Sequence, residues 1–93
     1  MKILVTPTFK RTVKKLHPQQ KTVLDQAVRT IASQPEAGEV KVGDLAGVQV
    51  YKFRIGDLQC LLAYRFLDEN TLKLLMVGPH ENFYRDLKRS ESL

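Results

Sequence analysis

An α+β fold is expected for this chain: an N-terminal strand, an αα-hairpin, then antiparallel strands closed by a short C-terminal helix. Three observations predict it. Two apolar stripes at helical spacing fill residues 9–31, and three strand-like segments separated by turn residues fill residues 48–77. A short apolar run at residues 2–5 precedes both. That order describes helices packed on one face of a mostly antiparallel sheet.

Lys2-Ile3-Leu4-Val5 reads as a strand. Thr6 or Thr8 can cap the following helix, with Pro7 tolerated in its first turn. Phe9, Val13 and Leu16 recur at i, i+4 and i+7 and form its apolar stripe. His17-Pro18 ends this helix and starts the next, because a residue before proline avoids the α region. His17 itself reads as a connector. Val23, Leu24, Ala27, Val28 and Ile31 give the second helix its apolar face, and the short joint predicts an antiparallel hairpin. Pro35, Gly38, Gly43 and Gly47 mark a loop, with a brief strand at Val40 to Val42.

Val48 to Ile55 alternates, so Tyr51, Phe53 and Ile55 share one side and Val50, Lys52 and Arg54 the other. Gly56-Asp57 is a tight turn. Leu58 to Phe66 is more continuously apolar, which suggests a central strand buried on both sides. Asp68-Glu69-Asn70 turns the chain into Thr71 to Val77, which Gly78-Pro79 ends. Glu81 to Arg89 forms a short helix with Phe83 and Leu87 at i,i+4. Ser90-Glu91-Ser92-Leu93 reads as a frayed end.

Ninety-three residues correspond to one domain, 1–93. Lys2 is followed by too few apolar residues for a signal peptide, and no run is long enough to span a membrane, so the cytoplasm is expected. The single cysteine, Cys60, excludes an internal disulfide and reads as a small buried hydrophobe. The chain carries 15 Lys and Arg against 10 Asp and Glu, a net charge of +5. Residues 1–30 hold seven of those bases and one acid, Asp25. Lys10 with Lys14, and Arg11 with Lys15, stack like charges at i,i+4, a small cost that suits a polyanionic partner. There is no Gly-rich phosphate loop, no metal-ligand spacing and no Ser-His-Asp set, and Asp44 and Asp57 read as turn residues. No metal or cofactor is implied.

The order of elements, with Leu45-Ala46-Gly47, Val50 to Asp57, Leu61-Leu62-Ala63-Tyr64, Asp68-Glu69, Leu74 to Gly78 and His80 to Leu87, resembles the RelE/ParE toxin superfamily over essentially the whole chain. The His80-Glu81-Asn82-Phe83-Tyr84-Arg85-Asp86-Leu87 segment is similar to the C-terminal segment of its mRNA-cleaving members. The resemblance implies a type II toxin neutralised by a cognate antitoxin. Its RelE-like members cleave mRNA in the ribosome, and its ParE-like members inhibit DNA gyrase. A non-toxic binding module of the same fold is a further alternative, since fold does not fix function.

Metal-independent RNA cleavage needs a base for the 2′-OH, cations for the phosphate and an acid for the 5′-oxygen. The resemblance places basic residues at Lys52 and Arg54, whose i,i+2 spacing puts them on one sheet face. It places His80 at the mouth of the sheet, where an imidazole can act as general acid or base. Tyr84 matches the C-terminal tyrosine and could stack on a base or take part in proton transfer; on a helix, His80 and Tyr84 lie at i,i+4 and share a face. Arg85, Lys88 and Arg65 could contact phosphate, and Lys10, Arg11, Lys14 and Lys15 ribosomal RNA. Many RelE-like endonucleases carry an arginine early in the strand that here reads Leu58 to Tyr64. This stretch has none: either Arg54 or Arg65 substitutes, or phosphate stabilisation is weaker, or the activity differs.

Overall fold

The computed structural model describes residues 1–91. Strand β1 is Lys2–Val5, helix α1 Pro7–Lys14 and helix α2 Pro18–Ser33. Strands β2 (Glu39–Val40), β3 (Gln49–Ile55), β4 (Leu58–Asp68) and β5 (Thr71–Pro79) follow, and helix α3 is Phe83–Glu91. Short 3-10 turns at Pro35–Ala37 and Gly43–Leu45 flank β2. The five strands form one sheet in the order β1-β5-β4-β3-β2. All neighbours are antiparallel except β1, which runs parallel to β5 with Lys2 opposite Thr71.

The expected α+β order holds. Thr6, rather than Thr8, caps α1: its hydroxyl accepts from Phe9 N–H at 3.1 Å and donates to the Leu75 carbonyl at 2.6 Å. One residue therefore starts a helix and pins it to β5. Pro18 opens α2, and the Gln20 side chain accepts the His17 N–H at 2.8 Å. Helix α1 leans on β5 and α2 on β3.

The sheet is covered on both faces, which corrects the expectation of helices on one face only. Phe9, Leu24, Ala27 and Ile31 from α1 and α2 pack with Leu62, Tyr64, Leu72, Leu74 and Val77. On the other face Leu45, Val48 and Val50 pack with Leu61, Ala63, Leu75, Met76, Phe83 and Leu87. The apolar side of α3 is real, but a stripe of two residues does not say which sheet face will receive it. Strand β4, with Leu61 to Tyr64 fully buried, is the two-sided central strand that its composition predicts. Cys60 is buried there, and burial pushes its thiol up.

The register of β4 against β5 shifts twice, between Ala63 and Tyr64 and between Phe66 and Asp68; at the first, Ala63 lies opposite Met76 but Tyr64 opposite Leu74. Leu75 is the extra residue. This bulge turns Leu75 and Met76 to the same face and returns Val77 to the α1 side.

Several boundaries moved. Strand β2 is Glu39–Val40 rather than Val40 to Val42, and β3 begins at Gln49 rather than Val48. β4 runs two residues past Phe66 to Asp68, and β5 continues through Gly78-Pro79 because its pairing with Leu61 and Cys60 extends that far. Helix α3 starts at Phe83, two residues after the expected Glu81, because Asn82 adopts a left-handed backbone with φ 63°. Of the segment expected to fray, Ser90 and Glu91 fall within α3, and Ser92 and Leu93 lie outside the described residues.

The fully buried Tyr64 carries one polar group, its hydroxyl. It donates to the Pro35 carbonyl at 2.8 Å and accepts the Gly38 N–H at 2.9 Å. Gly38 has an ordinary extended backbone, yet a Cβ there would fall on the Tyr64 hydroxyl and ring edge. Close approach requires the glycine. Desolvation raises the Tyr64 phenol above its ordinary 10.0, opposed by the Gly38 N–H. The folded state therefore keeps a proton that the unfolded chain gives up, and that stabilisation fades as pH climbs beyond about 10. Urea unfolding of Tyr64→Phe should show a loss of about 1–3 kcal/mol at neutral pH, because the Gly38 N–H loses its acceptor while the Pro35 carbonyl keeps only the Gln49 side-chain donor. The same variant should lose less stability than wild type between neutral pH and pH values above that window.

Candidate active site

Lys52 and Arg54 project from β3 on the face that carries Val50, which is buried against α3's layer. Pairing extends each across the sheet. Lys52 lies opposite Leu61, and Leu61 opposite Gly78. Arg54 lies opposite Gln59, and the His80 N–H donates to the Gln59 carbonyl at 3.3 Å, one step beyond Pro79. Arg54, Gln59 and His80 thus form one row over three strands. Two strand spacings put the Cα atoms of Arg54 and His80 roughly 10 Å apart, within reach of a shared phosphate for these side chains. Lys52 stands one pleat further in. All four side chains of this row and pleat (Lys52, Arg54, Gln59 and His80) are exposed.

Tyr84 joins them from the first turn of α3. The Phe83 N–H donates to the His80 carbonyl at 3.2 Å, which folds the chain back over the end of β5. Phe83 and Leu87 enter the core, so Phe83 takes the packing role and Tyr84 is left half-buried beside the row. The Tyr84 ring meets His80 edge-on, with centroids 6.2 Å apart at 82°, and Phe83 at 5.7 Å and 88°. His80 and Tyr84 are therefore neighbours, but not as i,i+4 positions of one helix: His80 precedes α3, and the left-handed Asn82 brings the rings together.

One cation here escaped the sequence reading. The Lys41 ammonium lies 4.9 Å from the centre of the Tyr84 ring and 3.2 Å from a Glu39 carboxylate oxygen. Its side chain is 20% exposed against 65% for Glu39, so it is turned inward. The Tyr84 hydroxyl holds the Lys41 ammonium above its ordinary value, partial burial opposes this, and Glu39 adds to it. Lys41 lies in the Gly- and Pro-marked loop, where no periodicity announces a direction. The alternation of Glu39 and Lys41 around Val40 was the one available signal.

The other expected residues divide. Arg65 is six residues along β4 from Gln59, roughly 20 Å, and sits by Gly47, where a Cβ would approach its guanidinium at 2.7 Å. It cannot replace an arginine in the row, where β4 supplies Gln59. Arg85 is exposed and pairs with Asp86 at 3.4 Å. Lys88 is exposed one helical turn beyond Tyr84. Lys10, Arg11 and Lys14 are exposed on α1, the helix over the opposite sheet face, and Lys15 is exposed at its C-cap. A cleft of about 780 Å³ opens between α1 and α3 along β5. Its charged lining mixes Lys15 and Arg89 with Glu81 and Asp86, which suits a polyanion less well than the open row does.

A family model for the ParE-like toxin of type II bacterial toxin-antitoxin systems matches residues 3–88. The chain belongs to that family. Solved structures agree on the wider RelE/ParE superfamily. The toxin chain resembles one in the RelBE2 toxin-antitoxin complex of Mycobacterium tuberculosis at 26% identity and TM-score 0.69, over 85% of this chain and 96% of that one. It resembles one in the intact Escherichia coli RelBE complex at 17% identity and TM-score 0.66, over 86% and 96%. A mutant of the E. coli toxin RelE in the free state superposes with TM-score 0.70 at 14% identity, over 98% and 93%. A search of curated proteins finds no match. Among the described residues of this toxin, no helix is long and apolar enough to cross a membrane.

The placement separates site from core in a measurable way. Arg54→Ala and His80→Ala should each change unfolding free energy by no more than about 0.5 kcal/mol. Phe83→Ala, one residue from Tyr84, should cost about 3–5 kcal/mol. Chemical denaturation of the three proteins distinguishes them.

Proposed function

We propose that residues 1–93 act as a single toxin domain that cleaves mRNA on the ribosome, independently of metal, and is held inactive by a cognate antitoxin in the cytoplasm. The observation that supports this best is the row Arg54–Gln59–His80 with Lys52 beside it and Tyr84 against His80, all on one open face. Lys52 and Arg54 bind the scissile phosphate and stabilise its developing charge. His80 moves a proton, at the 2′-OH as base or at the 5′-oxygen as acid. Tyr84 positions a nucleotide base by stacking. The products are a 2′,3′-cyclic phosphate, or its opened form, and a 5′-OH end, so DNA is inert. Lys10, Arg11, Lys14 and Lys15 would meet ribosomal RNA from the opposite side of the sheet, while Arg85 and Lys88 extend the site along α3. Arg65, at the far end of β4, contacts RNA away from the reacting phosphate.

A second reading has its own support. The family match is to ParE-like toxins, and β4 offers a neutral Gln59 in the row. Inhibition of DNA gyrase without RNA chemistry fits both facts.

Expression of the lone chain in growing cells, with new 5′ ends mapped on mRNA, tests these readings. Cuts on translated messages should appear with wild type and vanish with the Arg54→Ala/His80→Ala protein. On purified components His80→Ala should slow cleavage about 10²–10⁴-fold. Growth arrest without cuts would transfer the assignment to gyrase. Normal growth without cuts would leave a binding module that has no toxicity.

A further inference from the structure

Lys41 is the charged group of the site that the chemistry above leaves without a task. Its backbone is fixed: β2 pairs with β3, and the Lys41 N–H donates to the Val48 carbonyl at 2.9 Å. Its side chain is directed inward onto Tyr84, and Glu39 holds its outer side at 3.2 Å. Lys52 and Arg54, by contrast, are exposed and directed outward, as phosphate ligands need to be. The other two ring contacts of Tyr84 are edge-to-face, with Phe83 and His80. Such contacts set the tilt of a ring weakly, whereas a cation beside it adds an attraction that depends on where the ring points.

We propose that Lys41 is a positioning residue: anchored by Glu39, its ammonium fixes the Tyr84 ring against His80, so that Tyr84 meets the nucleotide in one orientation. This deepens the endonuclease reading and rests on it for the role of Tyr84. Lys41 itself does not touch the scissile phosphate. It acts through Tyr84, and its loss is felt in the reacting geometry rather than in binding.

The test compares wild type with Lys41→Met, Lys41→Arg, Tyr84→Ala and the Lys41→Met/Tyr84→Ala double variant in cleavage of mRNA on programmed ribosomes. Lys41→Met should lower kcat about tenfold with KM little changed, from the size of a partly desolvated cation–π contact. Lys41→Arg, which can stack on the same ring, should recover most of that loss. In the Tyr84→Ala background Lys41→Met should cost less than about twofold more. Glu39→Gln, which keeps Lys41 but removes its anchor, should give a smaller loss of the same kind. A rise in KM at constant kcat, or an undiminished tenfold loss without Tyr84, would overturn the proposal. The ring signals of Tyr84 in NMR spectra give an arm independent of cleavage: they should move in Lys41→Met and return in Lys41→Arg. If wild type cuts no RNA, the endonuclease reading fails on its own, and the ring signals decide. Unchanged signals in Lys41→Met would then refute the clamp, and moved ones would sustain it.

Discussion

The Tyr64 hydroxyl is the junction on which much of the arrangement depends. It lies at the end of a fully buried ring on the central strand, where an unmade hydrogen bond is costly. The chain answers with two backbone partners from a single turn, Pro35 and Gly38. That turn is thereby fixed to the central strand, and β2 must begin immediately after it. Lys41, three residues beyond Gly38, inherits its position from this junction. The link from core to site is thus short: Tyr64 fixes Gly38, Gly38 leads into Glu39–Val40, and Lys41 reaches Tyr84.

A second constraint is the two-faced sheet. Strand β5 must supply apolar residues to α1 on one side and to α3 on the other, and strict alternation would deliver Leu75 and Met76 to opposite faces. The bulge at Leu75 delivers both to the α3 layer. Thr6 takes the Leu75 carbonyl, so the irregular point of the strand is also where α1 is fastened. Past the bulge, β5 carries the chain to His80 in line with Gln59 and Arg54. Irregularity in one strand is in this way translated into the alignment of a site.

The element order was legible because each element announces itself locally. The stripe Phe9, Val13, Leu16 and the run Leu61 to Tyr64 have one physical interpretation each. Lys52 and Arg54 were legible as a pair because the strand period is two and Val50 shares their side. What was not legible depends on long-range packing. Phe83 and Leu87 specify an apolar side of a helix but not the sheet face that accepts it. The adjacency of His80 and Tyr84 was foreseen, but through a helix that begins too late to make it. Arg65 is close in sequence to the empty arginine position, yet strand extension carries it far along β4. Lys41 was missed because direction in a loop is set by what the loop is tied to, and the tie, Tyr64, is 23 residues away in the chain.

The parallel pairing of β1 with β5 also sets an order of events during synthesis. Lys2 is made well before its partner Thr71. Until Thr71 to Leu75 are available, β1 has no strand to join and α1 no Leu75 carbonyl to hold. Residues 76–84, which bring His80 and Tyr84, come later still. Helix α2 and the β3–β4 hairpin can form beforehand from local contacts, but closure waits on long-range pairing, a slow step in folding. The nascent chain is thus a scaffold without its working face until residues 76–84 have been made.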